Sequence, residues 1–410
     1  MQPLTPHRRR MALFTLALGG FAIGVTEFAT MGVLPNIAED LLPGFTANPA
    51  QGISQAGIII SLYALGVVIG APVITALAAR ASQTTLVYWL LGAFVLGSIA
   101  SALAPTFETL AVARLLAGLP HATFFGASAL LAGRLMGPGN QGKGIAIAMS
   151  GLPIANILGV PLATMIGQQL GWRWAYALVA LLFVLTLVLS LRYLPKVAGD
   201  PTLSPLRSIS GFANFRVWIM ILLASIGFGG FFAVYSYIAE VVTRVADLPA
   251  GAIPWVLSVI GIGMTIGTFF GGWAADRNTK FAIIGAFSAL IVALTVYVFV
   301  AHTPVGLFIS VFVVGFWFSA LTPAVQTRFI RMAREAELMG SAITHAAFNV
   351  ANALGAWIGG VVIAAGLGYL APGWAGIALA AAGLVLAAIS FGVSKRDRAR
   401  SVDTTGIKLP

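Results

Sequence analysis

One carboxylate stands inside the first long apolar stretch of the sequence, where it could bind and release a proton. Residues Met11 to Val33 contain a single charged side chain, Glu27. A stretch of this length can cross a bilayer, because about 20 helical residues at 1.5 Å each span roughly 30 Å of hydrocarbon. An ionised side chain is costly there, so it needs a partner or a change of protonation. Glu27 is therefore a candidate proton site. The alternative is a polar residue solvated near the end of its helix.

Arg114 and His121 lie seven residues apart in the fourth apolar stretch and so share a helix face. Arg114 and Glu27 both lie about 10 Å below the same predicted end of the membrane, at 1.5 Å per residue. A buried arginine keeps its charge and needs an acceptor. We therefore expect it to meet Glu27, directly or through water, since no other acid is placed well within a span. The alternatives are that Arg114 bonds to backbone carbonyls and that His121 is a neutral packing residue.

Amides and aromatic rings supply candidate contacts for a ligand. His345, Asn349 and Asn352 follow one another at i, i+4 and i+7 on one helix face. Such a stripe beside an aromatic face suits a polar but uncharged ligand with apolar parts. The alternatives are helix association through asparagine and ordinary aromatic packing. The candidate substrate-binding residues are Thr26, Asn156, Phe231, Tyr235, Trp317, His345, Asn349 and Asn352.

Charged residues after the eighth apolar stretch could close one face of the protein. Asp276 and Arg277 are followed by Lys280. Charge pairs and helix dipoles at this point could latch neighbouring helices together. The alternative is ordinary solvation of a loop.

The composition places these residues in a membrane protein. The chain has 410 residues, of which 59% are hydrophobic and 9% charged, whereas soluble domains carry roughly 25% charged residues. Apolar runs in lipid form helices, because unpaired backbone is not tolerated there. Twelve spans are predicted: 11–33, 53–79, 85–104, 107–133, 143–167, 173–194, 213–239, 251–275, 281–301, 304–327, 340–366 and 373–393. The sequence has no cysteine and its four histidines are scattered, so we expect no metal centre and no cofactor.

The distribution of basic residues predicts the orientation. All but three of the 23 lysines and arginines fall on one side of the predicted spans, and Arg173 and Arg244 fall on the other. Basic loops remain in the cytoplasm, so we expect a multi-pass protein of the cell membrane with both termini cytoplasmic. This asymmetry accounts for the net charge of +11 better than nucleic-acid binding does.

The two halves of the sequence repeat each other. Residues 155–159 (ANILG) match 351–355 (ANALG) at an offset of 196, and Gly118 matches Gly315 at 197. The loop at Arg80 also matches that at Arg277 at 197. Six spans per unit give both copies the same orientation. We expect an all-α membrane fold of two parallel six-helix bundles around a central cavity. Its predicted parts are 1–194, a cytoplasmic linker 195–212, 213–394 and a tail 395–410.

Taken with the loop at 272–280, this organisation resembles the major facilitator superfamily. Segments 24–28, 113–121 and 349–360 are similar to its drug:proton antiporters, in the branch that exports arabinose-like sugars and chloramphenicol. The resemblance implies that Glu27 takes part in proton coupling and that Arg114 is the arginine of the fourth-span motif. The sequence departs from the family where Val160 interrupts a Gly-Pro pair and where Ala79 replaces an aspartate.

The predicted function is proton-coupled efflux of small neutral or zwitterionic drug-like molecules by alternating access. The alternatives are a sugar or metabolite exporter on the same scaffold and a facilitator without proton coupling. No nucleophile–base pair or metal cluster is visible, so we do not expect an enzyme. The expected partners are a small-molecule substrate, protons and the lipid bilayer, with the monomer as the functional unit.

Overall fold

Helices account for the regular structure of the described residues, which are 5–78, 80–137, 140–197, 215–332 and 337–405 of a computed structural model. We number the membrane-spanning helices α1 to α12. The first six are α1 (Pro6–Gly32), α2 (Pro49–Leu77), α3 (Gln83–Ala102), α4 (Phe107–Met136), α5 (Gly144–Leu170) and α6 (Trp172–Tyr193). The others are α7 (Val217–Val245), α8 (253–277), α9 (279–300), α10 (Pro304–Met332), α11 (Glu337–Ala364) and α12 (Ala371–Thr405).

Helices α8 and α9 follow each other without a loop in the stretch Ile253–Val300, and a kink at Asn278 separates them. Its 48 residues would measure about 72 Å if straight, more than twice the thickness of the hydrocarbon. Asn278 has extended backbone angles, and its side-chain oxygen accepts from the backbone N–H groups of Lys280 and Phe281. It therefore caps the start of α9. Eleven helical stretches in the described residues are long and apolar enough to cross a membrane, and this break makes twelve crossings.

The internal repeat appears as matching glycine contacts in the two halves. A methyl group on Gly118 of α4 would overlap the carbonyl oxygen of Tyr63 in α2. A methyl group on Gly315 of α10 would likewise overlap the carbonyl oxygen of Ile260 in α8. Each residue of the second contact lies 197 positions after its counterpart in the first. The same relation holds between Gly66–Leu115 and Gly263–Phe312, and between Gly70–Leu119 and Gly267–Phe316. The predicted two-bundle fold is confirmed by an α2–α4 packing that recurs as α8–α10.

The two halves meet along several helix pairs. The Ser61 hydroxyl of α2 donates to the carbonyl of Ala353 in α11 at 3.1 Å, and Gly360 packs against Ser54 nearer the helix ends. Pro161 of α5 has no backbone N–H group, so the carbonyl of Ile157, four residues earlier, lacks its usual donor within the helix. The helix forms a π-turn at Ala155–Gly159, and Ser258 of α8 donates to that carbonyl at 3.3 Å.

We call the end of the molecule that carries the α1–α2 loop the outer end, following the predicted orientation. The loop contains the helix Leu34–Leu41. The Asp40 carboxylate accepts hydrogen bonds from the Trp172 indole and the Arg173 guanidinium, and Arg173 also donates to Ala104. These bonds from Arg173 and Trp172 hold the pKa of Asp40 below its usual value. The short helix is thus tied to α6 and to the α3–α4 loop.

Candidate functional site

Glu27 lies at the centre of the candidate site, in contact with both halves of the protein. Its side chain is buried. The Asn352 amide of α11 donates to Oε1 at 3.2 Å, and Nε2 of His121 lies 4.0 Å from Oε2. Each oxygen of the carboxylate therefore faces a different bundle. A change in its protonation would alter a bond between the halves.

The Arg114 guanidinium bonds to the residue beside Glu27. Its Nη1 donates to the Thr26 hydroxyl at 3.0 Å, and Nη2 donates to the Thr26 carbonyl at 2.9 Å. No ion pair joins Arg114 to Glu27 within 4 Å, so of the two expected forms of association, direct or through water, the direct one is not formed in this structure. The alternative of bonding to a backbone carbonyl describes the contact. Successive residues of a helix point about 100° apart, which lets Arg114 reach Thr26 while Glu27 faces α11.

Two tyrosines flank Arg114. The guanidinium carbon lies 4.2 Å from the ring centre of Tyr63 and 5.3 Å from that of Tyr176. The Tyr176 hydroxyl pairs with the Thr30 hydroxyl at 2.9 Å, which fixes its ring against α1. Cation–π contacts of this kind stabilise a desolvated cation. Sequence reasoning missed Tyr63, because a tyrosine in an apolar span is not distinguishable from a packing residue.

Asn156 and Tyr235 form a second polar contact between the halves. The Tyr235 hydroxyl of α7 donates to the Asn156 side-chain oxygen of α5 at 3.3 Å. The Asn156 amide nitrogen donates to Leu152 of its own helix at 3.2 Å. Both residues are buried. Asn156 and its repeat-mate Asn352 thus each bond to the opposite half.

Aromatic rings pack beside this contact. Phe231 stacks on Tyr235 at 5.0 Å and on Phe318 at 3.9 Å, measured between ring centres. Phe28 of α1 lies 5.6 Å from Tyr235 and 6.5 Å from Phe232. The predicted aromatic face is therefore part of a wall formed by rings of α1, α7 and α10. Its member on α1, Phe28, directly follows Glu27 in the sequence.

The α11 stripe adds unpaired hydrogen-bond acceptors. The Asn349 amide nitrogen donates to the carbonyl of His345 at 3.0 Å. The side-chain oxygens of Asn349 and Asn352 are buried and have no partner among the described residues. The His345 ring stacks on Phe125 at 4.6 Å and lies 6.2 Å from the His121 ring. The stripe therefore approaches the Glu27 cluster and retains the capacity to accept hydrogen bonds.

Trp317 lies outside this cluster. It lines a lateral cavity of about 640 Å³ between α9 and α10, together with Val292, Ile309 and Ser310. The exposed side chains of Val292 and Ile309 show that this cavity opens on the flank of the molecule. The structure does not bring Trp317 to the other predicted substrate-binding residues. The sequence alone could not determine which face of α10 lies toward the centre of the protein.

The predicted latch residues do not pair in this conformation. Asp276 and Arg277 are exposed, and the Arg277 guanidinium stacks on the Trp273 ring at 3.8 Å. The Lys280 ammonium lies 6.0 Å from the Phe391 ring centre. Asp276 forms no ion pair with any described residue. The latch therefore stays a prediction for another state of the protein.

A second buried acid, Glu240, corrects the expectation that Glu27 is the only one well within a span. Helix α7 continues to Val245 through a π-turn and so includes Glu240, beyond the predicted end at 239. The Glu240 carboxylate pairs with Arg244 one turn later. The Arg244 guanidinium also lies 5.7 Å from the ring of Tyr369. This pair lies near the outer end and does not contact the Glu27 cluster.

The cluster contains side chains that can exchange a proton or form hydrogen bonds. Within the described ranges, no three His, Asp or Glu side chains lie together as metal ligands would. Glu27 can take or lose a proton, Arg114 supplies a permanent charge, and the α11 amides offer acceptors. The arrangement can therefore connect protonation to the contact between the halves.

The chain is similar in sequence to known proteins over most of its length. A model of the Major Facilitator Superfamily matches residues 16–338 and 217–410. The inner membrane transport protein YdhP of Escherichia coli is 36% identical over 87% of this chain and 90% of its own. A chloramphenicol resistance protein of Streptomyces lividans is 30% identical over 92% and 95%. A protein of Helicobacter acinonychis named "Probable sugar efflux transporter" is 28% identical over 88% and 90%.

Proposed function

Because the chain belongs to the Major Facilitator Superfamily of membrane transporters, we propose that it exports small neutral or zwitterionic drug-like molecules in exchange for protons. The proposed location is the cell membrane, with both termini in the cytoplasm and the monomer as the working unit. The proposed halves are residues 1–194 and 213–394, joined by the segment 195–212. Most of this segment, and the side chains of the tail 395–410, lie outside the described residues.

One observation carries the proposal: the buried carboxylate of Glu27 accepts a hydrogen bond from Asn352 in the opposite half. Protonation removes the negative charge that this amide stabilises, so it changes the free energy of contact between the halves. A ligand shifts a conformational equilibrium only through its different affinity for the two states. A proton on Glu27 meets that requirement, because separating the two halves would break the bond between α1 and α11 that it affects.

The cycle follows from the position of the acid. Glu27 takes a proton from the outside when the outer end is open. The halves then close at that end and open at the inner end, where the proton leaves to the cytoplasm. Substrate binds in exchange and is carried outward in the reverse movement. Arg114, held on Thr26, keeps a constant positive charge near the carboxylate throughout. The Asn352 amide and the His121 imidazole face the two carboxylate oxygens.

The polar groups around the acid support an uncharged ligand. The free oxygens of Asn349 and Asn352 accept hydrogen bonds, and Tyr235 and Phe231 offer an aromatic wall. Among the residues that the structure describes, no second carboxylate lies near Glu27 to balance a multiply charged cation. The relative named for chloramphenicol resistance supports a drug. The relative named for sugar efflux supports the alternative of a sugar such as arabinose.

Transport by purified protein in proteoliposomes tests this proposal. Radiolabelled chloramphenicol and arabinose are compared with and without an imposed pH gradient. We expect the gradient to drive chloramphenicol transport by the wild type and not by Glu27→Gln. The matched control is Glu39→Gln, which neutralises an exposed acid of the α1–α2 loop and should behave as wild type.

Each other result selects a different function. Gradient-driven transport of arabinose and not of chloramphenicol would make the protein a sugar exporter. Transport that ignores the gradient in the wild type would make it a facilitator. Undiminished gradient-driven transport by Glu27→Gln would remove Glu27 as the coupling site.

A further inference from the structure

Tyr63 of α2 contacts both His121 and Arg114, which do not bond to each other. Its hydroxyl lies 3.1 Å from Nδ1 of His121, and its ring packs against the guanidinium of Arg114. The side chain is buried, with a relative exposure of 1%. The Gly118 contact brings α2 and α4 close enough for both interactions, since the Tyr63 carbonyl lies against that glycine.

The polarity of the Tyr63–His121 bond follows from what lies on the other side of the imidazole. A neutral imidazole has one nitrogen that donates and one that accepts. Nε2 of His121 lies 4.0 Å from a carboxylate oxygen of Glu27. An ionised carboxylate only accepts, so a hydrogen on Nε2 is favoured and a lone pair there is repelled. Nδ1 is then the acceptor, and the Tyr63 hydroxyl donates to it.

We propose that Tyr63 is a positioning residue that holds neutral His121 in the tautomer whose hydrogen lies on Nε2, facing Glu27. The role rests on the proposed function only in assigning the proton site to Glu27. A distance of 4.0 Å is longer than a hydrogen bond, and an approach of about 1 Å between α1 and α4 would form one. His121 then stabilises the ionised form of Glu27 after the proton has left. A histidine in the other tautomer could not donate this bond.

Other groups around His121 do not determine its tautomer. The His345 ring of α11 is 6.2 Å away between ring centres and the Phe125 ring is 5.2 Å away, and neither forms a hydrogen bond to it. Arg114 lies on the same helix, and its Nη1 and Nη2 donate to Thr26. Tyr63 and Glu27 are therefore the two groups that face the ring nitrogens.

Nitrogen-15 NMR of histidine-labelled protein in lipid nanodiscs tests the assignment. At pH 8 an ordinary histidine, with a pKa of about 6.5, is neutral. Protonated and unprotonated ring nitrogens have well-separated shifts, and the signals of His121 are those lost in His121→Gln. Glu27→Gln removes the influence of the carboxylate charge, so that Tyr63 acts alone. Its phenol hydroxyl is a better hydrogen-bond donor than acceptor, so it still favours a lone pair on Nδ1 of His121. The matched control is Tyr176→Phe, which removes another buried hydroxyl beside Arg114 without touching His121.

We expect His121 to carry its hydrogen on Nε2 in the wild type, in Glu27→Gln and in Tyr176→Phe. Adding Tyr63→Phe to Glu27→Gln should abolish the preference and give a mixture of tautomers. A hydrogen on Nδ1 in the wild type overturns the proposal, and this measurement requires no variant to fold. An unchanged preference in the double variant overturns it as well. The readout needs neither substrate nor gradient, so failure of proton coupling would leave it standing.

Discussion

Asn352 donates a hydrogen bond to the Glu27 carboxylate at 3.2 Å, across the boundary between the two halves of the protein. Its repeat-mate Asn156 accepts a bond from Tyr235, also across that boundary. The same residue type at the same place in the repeat therefore joins α11 to α1 and α5 to α7. Only the first of these bonds involves a group that can gain or lose a proton at ordinary pH.

Replacing Asn352 by alanine should weaken closure at the outer end. The change leaves a buried carboxylate without its donor, and hydrogen bonds to charged groups contribute about 1.5–3 kcal/mol. We expect the outer-open population to rise by about 10-fold or more at neutral pH. The chain has no cysteine, so spin labels at Ala47→Cys and Leu367→Cys report the distance between the outer loops. Asn349→Ala is the control, because the Asn349 amide bonds within its own helix. Equal distance distributions in both variants would contradict the expectation.

Arg114→Lys should destabilise the protein although it keeps the charge. An ammonium group cannot reproduce the planar fork that donates to both oxygens of Thr26. We expect a loss of about 2 kcal/mol, since a buried carbonyl and a buried hydroxyl lose their donors. Thr26→Val removes only the hydroxyl acceptor and should cost less. Thermal unfolding in detergent measures both, and the double variant gives their coupling. Additive effects would mean that the two residues do not interact as described.

Gly118→Ala should destabilise the α2–α4 contact. The added methyl group would overlap the Tyr63 carbonyl, and backbone cannot move aside as a flexible side chain can. Overpacking of this kind costs about 1–3 kcal/mol. Gly92→Ala on α3 is the control, because a methyl group there meets no atom within 4 Å. That change should be neutral or stabilising, since alanine favours helix by about 1 kcal/mol. Equal unfolding temperatures for the two variants would show that the close approach is absent.

The link between the short helix Leu34–Leu41 and α6 should depend on pH through Asp40. Its pKa is lowered in the folded protein by Arg173 and Trp172, so the stabilisation is present above the usual aspartate pKa of about 3.9. It is lost as the pH falls through the lower folded value. We expect Asp40→Asn to be slightly less stable than wild type at pH 7, as befits an exposed pair, and the difference to shrink as the pH falls below about 3.9. Glu39→Gln should show no such pH dependence. An Asp40→Asn difference that does not shrink as the pH falls would point to a cause other than charge.

The membrane fold was accessible from the sequence because it depends on local composition. The length and apolarity of each run decide whether it can cross a bilayer, and the family match and the helices agree with the predicted spans. The repeat offset of 197 residues, for example between Gly118 and Gly315, is likewise visible in the sequence without any knowledge of the contacts. The end of α7 was the exception, since a π-turn extends it past Glu240.

The partners of the site residues were decided by tertiary structure alone. The sequence identified Glu27 and Arg114 as unusual, yet it paired them with each other, whereas Arg114 bonds to Thr26 and Glu27 to Asn352. It placed Trp317 in the site, although that ring lies on the flank of α10. Pairing depends on the rotation and axial shift of one helix against another, within about 1 Å. Those are set by the sum of many close contacts, such as that of Gly118 with Tyr63, and no single segment of sequence contains them.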